Sequence, residues 1–412
     1  MKYGLIGEKL GHSFSPEIHR ALGGYDYELR ELTREELPAF FAARAFAGIN
    51  VTIPYKEEVI PLLDEVDGAA RAIGAVNTVV NRGGRLCGYN TDFDGMRDLL
   101  SFAGIDPADK KVLIAGSGGT SKTAEAAVRS LGARAVYRVS RSGADGLITY
   151  EQASREHGDA GVWINATPCG MYPNAGVSPV DLSAYPHLSG VVDAVYNPLR
   201  TRFVLRAKKQ GIPAAGGLFM LVAQAARAVE RFTGKAVPES AVKKTYRDLV
   251  RQKENLVLIG MPGSGKSTLG RLCAEKLGRA FYDADAVLTE KTGMTPAAFI
   301  RERGEEAFRD EEEAVLRTLS AETGCVIATG GGAVLREENV LNLKGNGKLV
   351  FLDRSPDSLP VTLDRPLSCD REKLLALYET RLPLYRGAAD AILPCGTDTD
   401  ANVKAILEVW NV

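Results

Sequence analysis

At 412 residues the chain has room for about two to four domains of ordinary size, and its 45% hydrophobic and 25% charged content is ordinary for a soluble globular protein with several cores. Lysine and arginine number 51 against 52 aspartates and glutamates, a net charge of −1. That balance excludes a nucleic-acid binder held by bulk positive charge, and leaves only local anion sites. The opening Met1–Gly7 is too short and too soon broken by glycine to predict a signal peptide. No run approaches the ~18 apolar residues of a membrane span, so no membrane partner is expected. The six cysteines, Cys87, Cys169, Cys273, Cys325, Cys369 and Cys395, form no C-x-x-C pair and suggest a reducing cytoplasm.

In chain order, strand-like apolar runs alternate with helix-length amphipathic segments, the pattern of α/β folds with largely parallel sheets. A first segment covers 1–98. Within it, Ser15-Pro16 reads as a helix cap and first-turn pair, and Asp92 as a cap for a helix over Phe93–Leu100. A boundary near 98–110 precedes the strand Lys111–Ala115 and the loop Gly116-Ser117-Gly118-Gly119-Thr120-Ser121. This is a G-x-G-x-x-G variant with Ser121 in the third glycine's place, weak alone. The next strand, Ala135–Val139, ends about 20 residues later, as a Rossmann unit requires. There Ser140-Arg141-Ser142 stands where an NAD enzyme usually carries an acid. A cation between hydroxyls suits a 2′-phosphate and favours NADP; the alternative is a solvated turn charge at Arg141.

A helix is predicted near 218–250, then a short linker at the end of the polar stretch 243–255. The strand Leu256–Ile259 leads into Gly260-Met261-Pro262-Gly263-Ser264-Gly265-Lys266-Ser267-Thr268, a complete G-x-x-x-x-G-K-[ST] loop. Its glycines let backbone N–H groups curl around phosphate oxygens. Lys266 reaches the outer phosphates, and Ser267 can ligate Mg2+ beside ATP.

From about 255 onward the chain resembles a shikimate kinase. Phe281-Tyr282-Asp283-Ala284-Asp285, Gly304-Glu305-Glu306-Ala307-Phe308-Arg309, Ala328-Thr329-Gly330-Gly331-Gly332-Ala333, Asp364-Arg365-Pro366-Leu367 and Arg381-Leu382-Pro383-Leu384-Tyr385 follow that family's motifs in order. The resemblance implies that Asp283 lies near Mg2+. It implies that Asp285 holds the shikimate hydroxyl, with deprotonation as a further role. Arg309 and Arg381 would clamp the substrate carboxylate, with Gly331 contributing backbone, and Arg365 would close over the phosphates from a lid. Taken singly these residues have bland readings: Asp283 as a turn residue, Arg309 as one charge in an exposed run with Glu311-Glu312-Glu313.

The first 250 residues resemble shikimate dehydrogenase. The matches are Gly11-His12-Ser13-Phe14-Ser15-Pro16, Asn50-Val51-Thr52-Ile53-Pro54-Tyr55-Lys56, Gly74-Ala75-Val76-Asn77-Thr78, Asn90-Thr91-Asp92, Asn165-Ala166-Thr167-Pro168-Cys169-Gly170-Met171 and Leu221-Val222-Ala223-Gln224-Ala225-Ala226. The resemblance implies that Ser13 and Ser15 bind the substrate carboxylate, that Thr52, Asn77, Asp92 and Gln224 hold its hydroxyls, and that Lys56 and Asp92 form the catalytic pair. Structural readings stand beside these: a solvated Lys56 and an Asp92 that only caps. The four histidines show no metal constellation.

The expected architecture is therefore α/β throughout. An N-terminal substrate domain (1–98, completed by the helix 218–250) and an NADP-binding Rossmann domain (99–217) precede a P-loop domain of the nucleoside-monophosphate-kinase type (255–412). The resemblance implies reduction of 3-dehydroshikimate with NADPH and phosphorylation of the resulting shikimate with MgATP, on the hydroxyl the first step makes. Two departures stand out: 21–31 is short, and 355–363 is short and lacks an additional lid arginine. The rival readings are a quinate-type NAD dehydrogenase joined to the kinase, and a non-catalytic metabolite sensor.

Overall fold

Continuous apolar runs such as Val112-Leu113-Ile114-Ala115 and Leu256-Val257-Leu258-Ile259 are fully buried, which only a parallel sheet covered on both faces provides. The computed structural model describes residues 1–11, 13–360 and 370–411; His12 and Arg365 lie outside the described residues. Two units follow one another, Met1–Asp248 and Leu249–Val412. Among the described residues no helix is long and apolar enough to cross a membrane.

The first unit holds two sheets. One contains β1 (Tyr3–Gly7), β2 (Glu28–Glu31), β3 (Gly48–Val51), β4 (Glu65–Val66), β5 (Thr78–Arg82) and β6 (Arg85–Tyr89), in the order β2-β1-β3-β5-β6-β4. β5 and β6 pair antiparallel, with Arg82 opposite Arg85 across Gly83-Gly84. Both glycines have positive φ, as a two-residue hairpin turn needs.

The other sheet contains β7 (Lys111–Ala115), β8 (Ala135–Ser140), β9 (Ile148–Thr149), β10 (Val162–Asn165), β11 (Gly190–Asp193) and β12 (Ala214–Ala215). It is parallel, in the order β12-β11-β10-β7-β8-β9, so its strand order reverses between β7 and β10. A crevice outside the carboxyl ends of those strands is where such sheets bind ligands.

The second unit has one parallel sheet: β13 (Asn255–Ile259), β14 (Phe281–Asp283), β15 (Val326–Ala328), β16 (Gly347–Asp353) and β17 (Ala391–Pro394), ordered β14-β15-β13-β16-β17.

Several local expectations are corrected. The helix expected over 218–250 is two helices, Leu218–Thr233 and Glu239–Lys253. Gly234 ends the first in a left-handed cap (φ 70°), and Pro238 precedes the second. The second runs to Lys253 and β13 begins at Asn255, so no linker stretch remains. Asn90, not Asp92, caps the helix Thr91–Phe102, its side chain accepting from the Phe93 N–H at 3.2 Å. That helix crosses the boundary drawn at 98. Ser15 is the first helical residue rather than the cap, and Phe14, with no side-chain cap bond, precedes it.

Candidate active sites

In the first unit, capping by Asn90 leaves Asp92 free for other work in the first helical turn. Its Oδ2 accepts from Lys56 Nζ at 2.6 Å, and the two side chains are 9% and 13% exposed. Lys56 is therefore not solvated. Its turn is pinned by the Val76 N–H, which donates to the Lys56 carbonyl at 2.7 Å, and by the Tyr55 hydroxyl, which donates to the Leu32 carbonyl at 2.6 Å.

One residue before Asp92, Thr91 meets Asn77, whose Nδ2 donates to Thr91 Oγ1 at 3.0 Å and faces Gln224 Oε1 at 3.5 Å. Gln224 comes from the helix Leu218–Thr233, which crosses the helix Thr91–Phe102 at Gly95. A Cβ on Gly95 would lie 2.9 Å from Gln224 Cβ and 3.0 Å from the Met220 carbonyl oxygen. Thr52 follows β3, its N–H bonded to the Ile6 carbonyl at 3.0 Å. The structure thus forms two sets, the Lys56–Asp92 pair and the cluster of Asn77, Thr91 and Gln224, adjoining in the chain at Thr91-Asp92. Ser13 and Ser15 form another, with their hydroxyls 3.1 Å apart.

The first glycine loop closes on itself. Ser121 is buried and donates to the Gly118 carbonyl at 2.7 Å, so the substituted third position packs inward. Gly116 (φ 127°) passes the β10 loop so closely that a Cβ would be 3.1 Å from the Ala166 oxygen. A Cβ on Gly119 would be 3.6 Å from Lys56 Cβ, which brings the loop's helix N-terminus against the lysine. Glycine backbone and a helix N-terminus suit a dinucleotide pyrophosphate. At the end of β8, Ser140 Oγ accepts from the Gly143 N–H at 3.0 Å, and Arg141 is exposed.

Two residues here carry no signal in the sequence motifs. Tyr196 packs on Phe14 with ring centroids 5.4 Å apart. Burial raises its phenol pKa, and a hydrogen bond with Ser13 opposes the shift. Its place, three residues beyond the end of β11 and close to the strand-order reversal, was the available pointer. Asp193 at the end of β11 is fully buried. It accepts from Asn165 Nδ2 at 2.9 Å, the Val195 N–H at 3.0 Å and the Thr201 hydroxyl at 2.6 Å. Burial pushes its pKa up to about 7, against those bonds. It ties the loops after β10 and β11 together. His19 is buried, stacked on Tyr27, and driven down to about 3 by burial, with an Asn50 hydrogen bond acting the other way.

In the second unit the Gly260–Thr268 loop opens the helix Lys266–Leu277 and borders a cavity of about 480 Å³. Gly263, Gly265, Ser267 and Thr268 line it, with Lys266 buried and bonded to the Gly260 and Met261 carbonyls at 2.8 and 2.9 Å. Asp283 ends β14 and caps the helix Ala284–Thr292, accepting from the N–H groups of Asp285 and Ala286 at 3.0 and 3.3 Å. Its carboxylate and the Ser267 hydroxyl are hard oxygen donors of the kind Mg2+ takes. Burial lifts Asp285 to about 6, with the Asp283 charge adding and Lys266 opposing.

Arg309 is also buried, held by Glu312 Oε2 at 2.8 Å and Glu305 Oε1 at 2.9 Å. The alternative reading of Arg309 as one charge in an exposed Glu311–Glu313 run does not hold. Glu312 is 2% exposed, and its flanking residues are half-buried against Lys291 and Arg336. Glu312 sits one turn beyond Arg309, so helical spacing puts both on the buried face. The Gly330–Gly332 loop can meet this cluster because it lacks side chains. A Cβ on Gly330 would be 2.6 Å from Glu312 Oε1 and 2.9 Å from Asp285 Oδ1. One on Gly332 would fall on the Arg309 guanidinium. The Gly331 carbonyl accepts from Arg381 at 2.9 Å and from Tyr385, and Arg381 is buried. Pro296, Ala297, Ile300 and Phe308 supply the cavity's apolar side.

Three family models match: the shikimate dehydrogenase substrate binding domain over residues 5–79, the shikimate 5′-dehydrogenase C-terminal domain over 217–245, and shikimate kinase over 262–411. The chain is 35% identical to the shikimate dehydrogenase (NADP(+)) of Clostridium perfringens over 265 residues, 60% of this chain and 97% of that one. Shikimate dehydrogenase 1 from Peptoclostridium difficile matches with a TM-score of 0.57 and 35% identity over 60% of this chain and 98% of its own. The Thermus thermophilus shikimate 5-dehydrogenase, solved with NADP(H) and shikimate, matches with a TM-score of 0.54 and 33% identity over 60% of this chain and 99% of its own.

Proposed function

The chain belongs to the shikimate dehydrogenase family and carries a shikimate kinase domain behind it, and from that premise we propose how its residues divide the work of a bifunctional shikimate-pathway enzyme. The first unit reduces 3-dehydroshikimate to shikimate. The second phosphorylates shikimate with ATP to shikimate 3-phosphate. The observation that carries the first reading is the 2.6 Å Lys56–Asp92 pair with Gly119 against the lysine. NADPH, when bound, supplies the hydride to the carbonyl carbon. Lys56 donates a proton to the oxygen as negative charge builds there, and Asp92 orients the ammonium. Gly116, Gly118 and Gly119 hold the pyrophosphate, with Ser121, expected beside them, instead bracing the loop from within, and Ser140 and Arg141 hold the 2′-phosphate. Ser13 and Ser15 take the substrate carboxylate, while Thr52, Asn77, Asp92 and Gln224 take its hydroxyls.

For the kinase, Asp285 holds the attacking hydroxyl and accepts its proton. Arg309 and Arg381 pair with the carboxylate, the shape for which a planar guanidinium fork is suited. Gly263, Gly265, Lys266, Ser267 and Thr268 cradle the phosphates. Mg2+ at Ser267 and Asp283 neutralises phosphate charge when bound. Arg365 is assigned the lid role by motif alone.

The domain roles are 1–98, completed by the helices of 218–250, for substrate; 99–217 for NADP; and 255–412 for the kinase. The first boundary is best moved to Phe102, where a helix ends. A cytoplasmic location is supported by Cys87, Cys169, Cys273, Cys325 and Cys395, all free thiols. A non-catalytic sensor is disfavoured because Lys56, Asp92, Lys266 and Asp285 are all present. A quinate-type NAD enzyme is disfavoured by Ser13, Ser15 and Arg141.

Steady-state assays of both reactions on the full chain test this. Lys56→Ala is expected to cut reduction by roughly 10²–10⁴-fold and leave the kinase intact, and Lys266→Ala to do the reverse. Loss of both activities from either change in a folded protein would overturn the division of labour.

A further inference from the structure

Behind Asn77 and Gln224 runs an unbroken line of buried hydrogen bonds whose direction is set at both ends. The Asn77 main-chain carbonyl can only accept, so the Asn50 atom 3.2 Å from it is Nδ2. Asn50 Oδ1 therefore faces Tyr27, whose hydroxyl donates to it at 2.7 Å. At the other end the Thr91 main-chain N–H can only donate, and it reaches Asn77 Oδ1 at 2.7 Å. Asn77 Nδ2 is thereby turned toward Thr91 Oγ1 and Gln224 Oε1.

Between these ends the Thr78 hydroxyl accepts from Asn50 Nδ2 at 2.9 Å, and its single hydrogen has Asn77 Oδ1 at 3.0 Å and Thr91 Oγ1 at 3.1 Å within reach. Gln224 is pinned separately, its Nε2 donating to the Leu221 carbonyl at 2.8 Å and its Oε1 accepting from the Thr91 hydroxyl at 3.3 Å. Asn50, Asn77, Thr78, Thr91 and Gln224 are all buried, and Tyr27 is clamped under the His19 ring, centroid to centroid 3.9 Å at 10°. At the far end an amide N–H of Asn77 and the side-chain carbonyl of Gln224 stand side by side, joined only at 3.5 Å, beyond the normal range for N–H···O. A hydroxyl both accepts and donates, and so satisfies such a pair.

We propose that Tyr27 is a positioning residue, which through Asn50 and Thr78 steadies the Asn77 amide beside Gln224 in the place that a substrate hydroxyl requires. This rests on the reading that Asn77 and Gln224 take the hydroxyls of 3-dehydroshikimate. Without the Tyr27 hydroxyl, Asn50 Oδ1 loses its 2.7 Å donor, and the amide is held only by the Asn77 carbonyl, Thr78 and the His19 contact. A looser Asn50 amide fixes the Thr78 hydroxyl, and through it Asn77, less tightly.

The test is steady-state kinetics of the full chain. Tyr27→Phe is expected to raise KM for 3-dehydroshikimate about three- to tenfold, the worth of one buried hydrogen bond, with KM for NADPH and the kinase reaction unchanged. Thr78→Val should do the same, and Thr78→Ser, which keeps the hydroxyl, should restore the low KM. A folded Tyr27→Phe enzyme with unchanged KM, or one in which both dehydrogenase KM values rise together, overturns the relay. If Tyr27→Phe does not fold, the Thr78 pair decides, and equal KM for Val and Ser overturns it. Asn77→Ala separates the two layers. An unchanged KM there refutes the hydroxyl-binding reading itself, whereas a raised KM beside an inert Tyr27→Phe refutes only the relay.

Discussion

Replacing Lys56 by Met in this enzyme removes an ammonium from a contact of 2.6 Å while leaving the Asp92 carboxylate only 9% exposed. Breaking a pair this buried costs about 3–5 kcal/mol, because the remaining charge has lost its counter-ion. The pair is not fully enclosed, so the lower end applies. For a unit of this size about 3 kcal/mol is a fall of roughly 6–12 °C in melting temperature. Reduction should drop by about 10²–10⁴-fold at the same time. Stability and activity come apart in the double variant Lys56→Met with Asp92→Leu. With both charges gone, an apolar pair of similar volume should recover most of the lost stability, while reduction stays at the level of the single variant. Thermal unfolding and consumption of NADPH with 3-dehydroshikimate read the two quantities independently. A double variant that regained activity along with its melting temperature would show that the pair only supports the fold, and the proton-donor role would fall.

Other expectations follow from the same geometry. Asp285 must be a carboxylate to accept a proton, and burial has raised its pKa to about 6. Kinase kcat/KM for shikimate should therefore fall as pH drops through about 6, and Glu312→Gln, which removes a nearby like charge, should move that limb to lower pH. An acid limb unmoved by the change would contradict the electrostatic account. Gly332→Ala places a methyl group where Arg309 now sits. A displaced carboxylate clamp should raise KM for shikimate by about tenfold or more, with the dehydrogenase untouched; unchanged kinase KM would remove Arg309 from the substrate site. Arg141→Ala should erode a preference for NADP over NAD that is about tenfold or more, mainly through KM for NADP. Equal efficiency with the two cofactors in the unmodified enzyme would refute the 2′-phosphate contact.

What could be read from the sequence was what lies contiguous in it. Both glycine loops have a strand before and a helix after within about twenty residues, so their chemistry and local structure are written together. Glu312, Tyr196 and Asp193 escaped because their roles depend on partners brought up by the fold. Glu312 looked like one of three solvated acids, and only the helical period from Arg309, together with the close glycine loop, buries it. Asp92 reads as a cap in the sequence, but Asn90, an equally good capping residue two positions earlier, competes for the same orphan N–H groups and wins. The break in the helix 218–250 was signalled by Gly234 and Pro238, but the amphipathic pattern resumes beyond them and masked it.

The crossing at Gly95 has a consequence for how the dehydrogenase tolerates change. Asp92 and Gln224 ride on different helices, and the gap between those helices is set by a hydrogen atom where any other residue would put carbon. Gly95 acts as a shim: its contribution is a thickness, and it touches no reactant. A single methyl group there would have to be absorbed against Met220 backbone and the stem of Gln224, moving the glutamine outward from Asn77 while leaving Asp92 on its own rigid rod. The cleft would keep every catalytic group and lose its gauge. Variation at this position should thus be constrained as strictly as at the lysine, although no chemistry happens there.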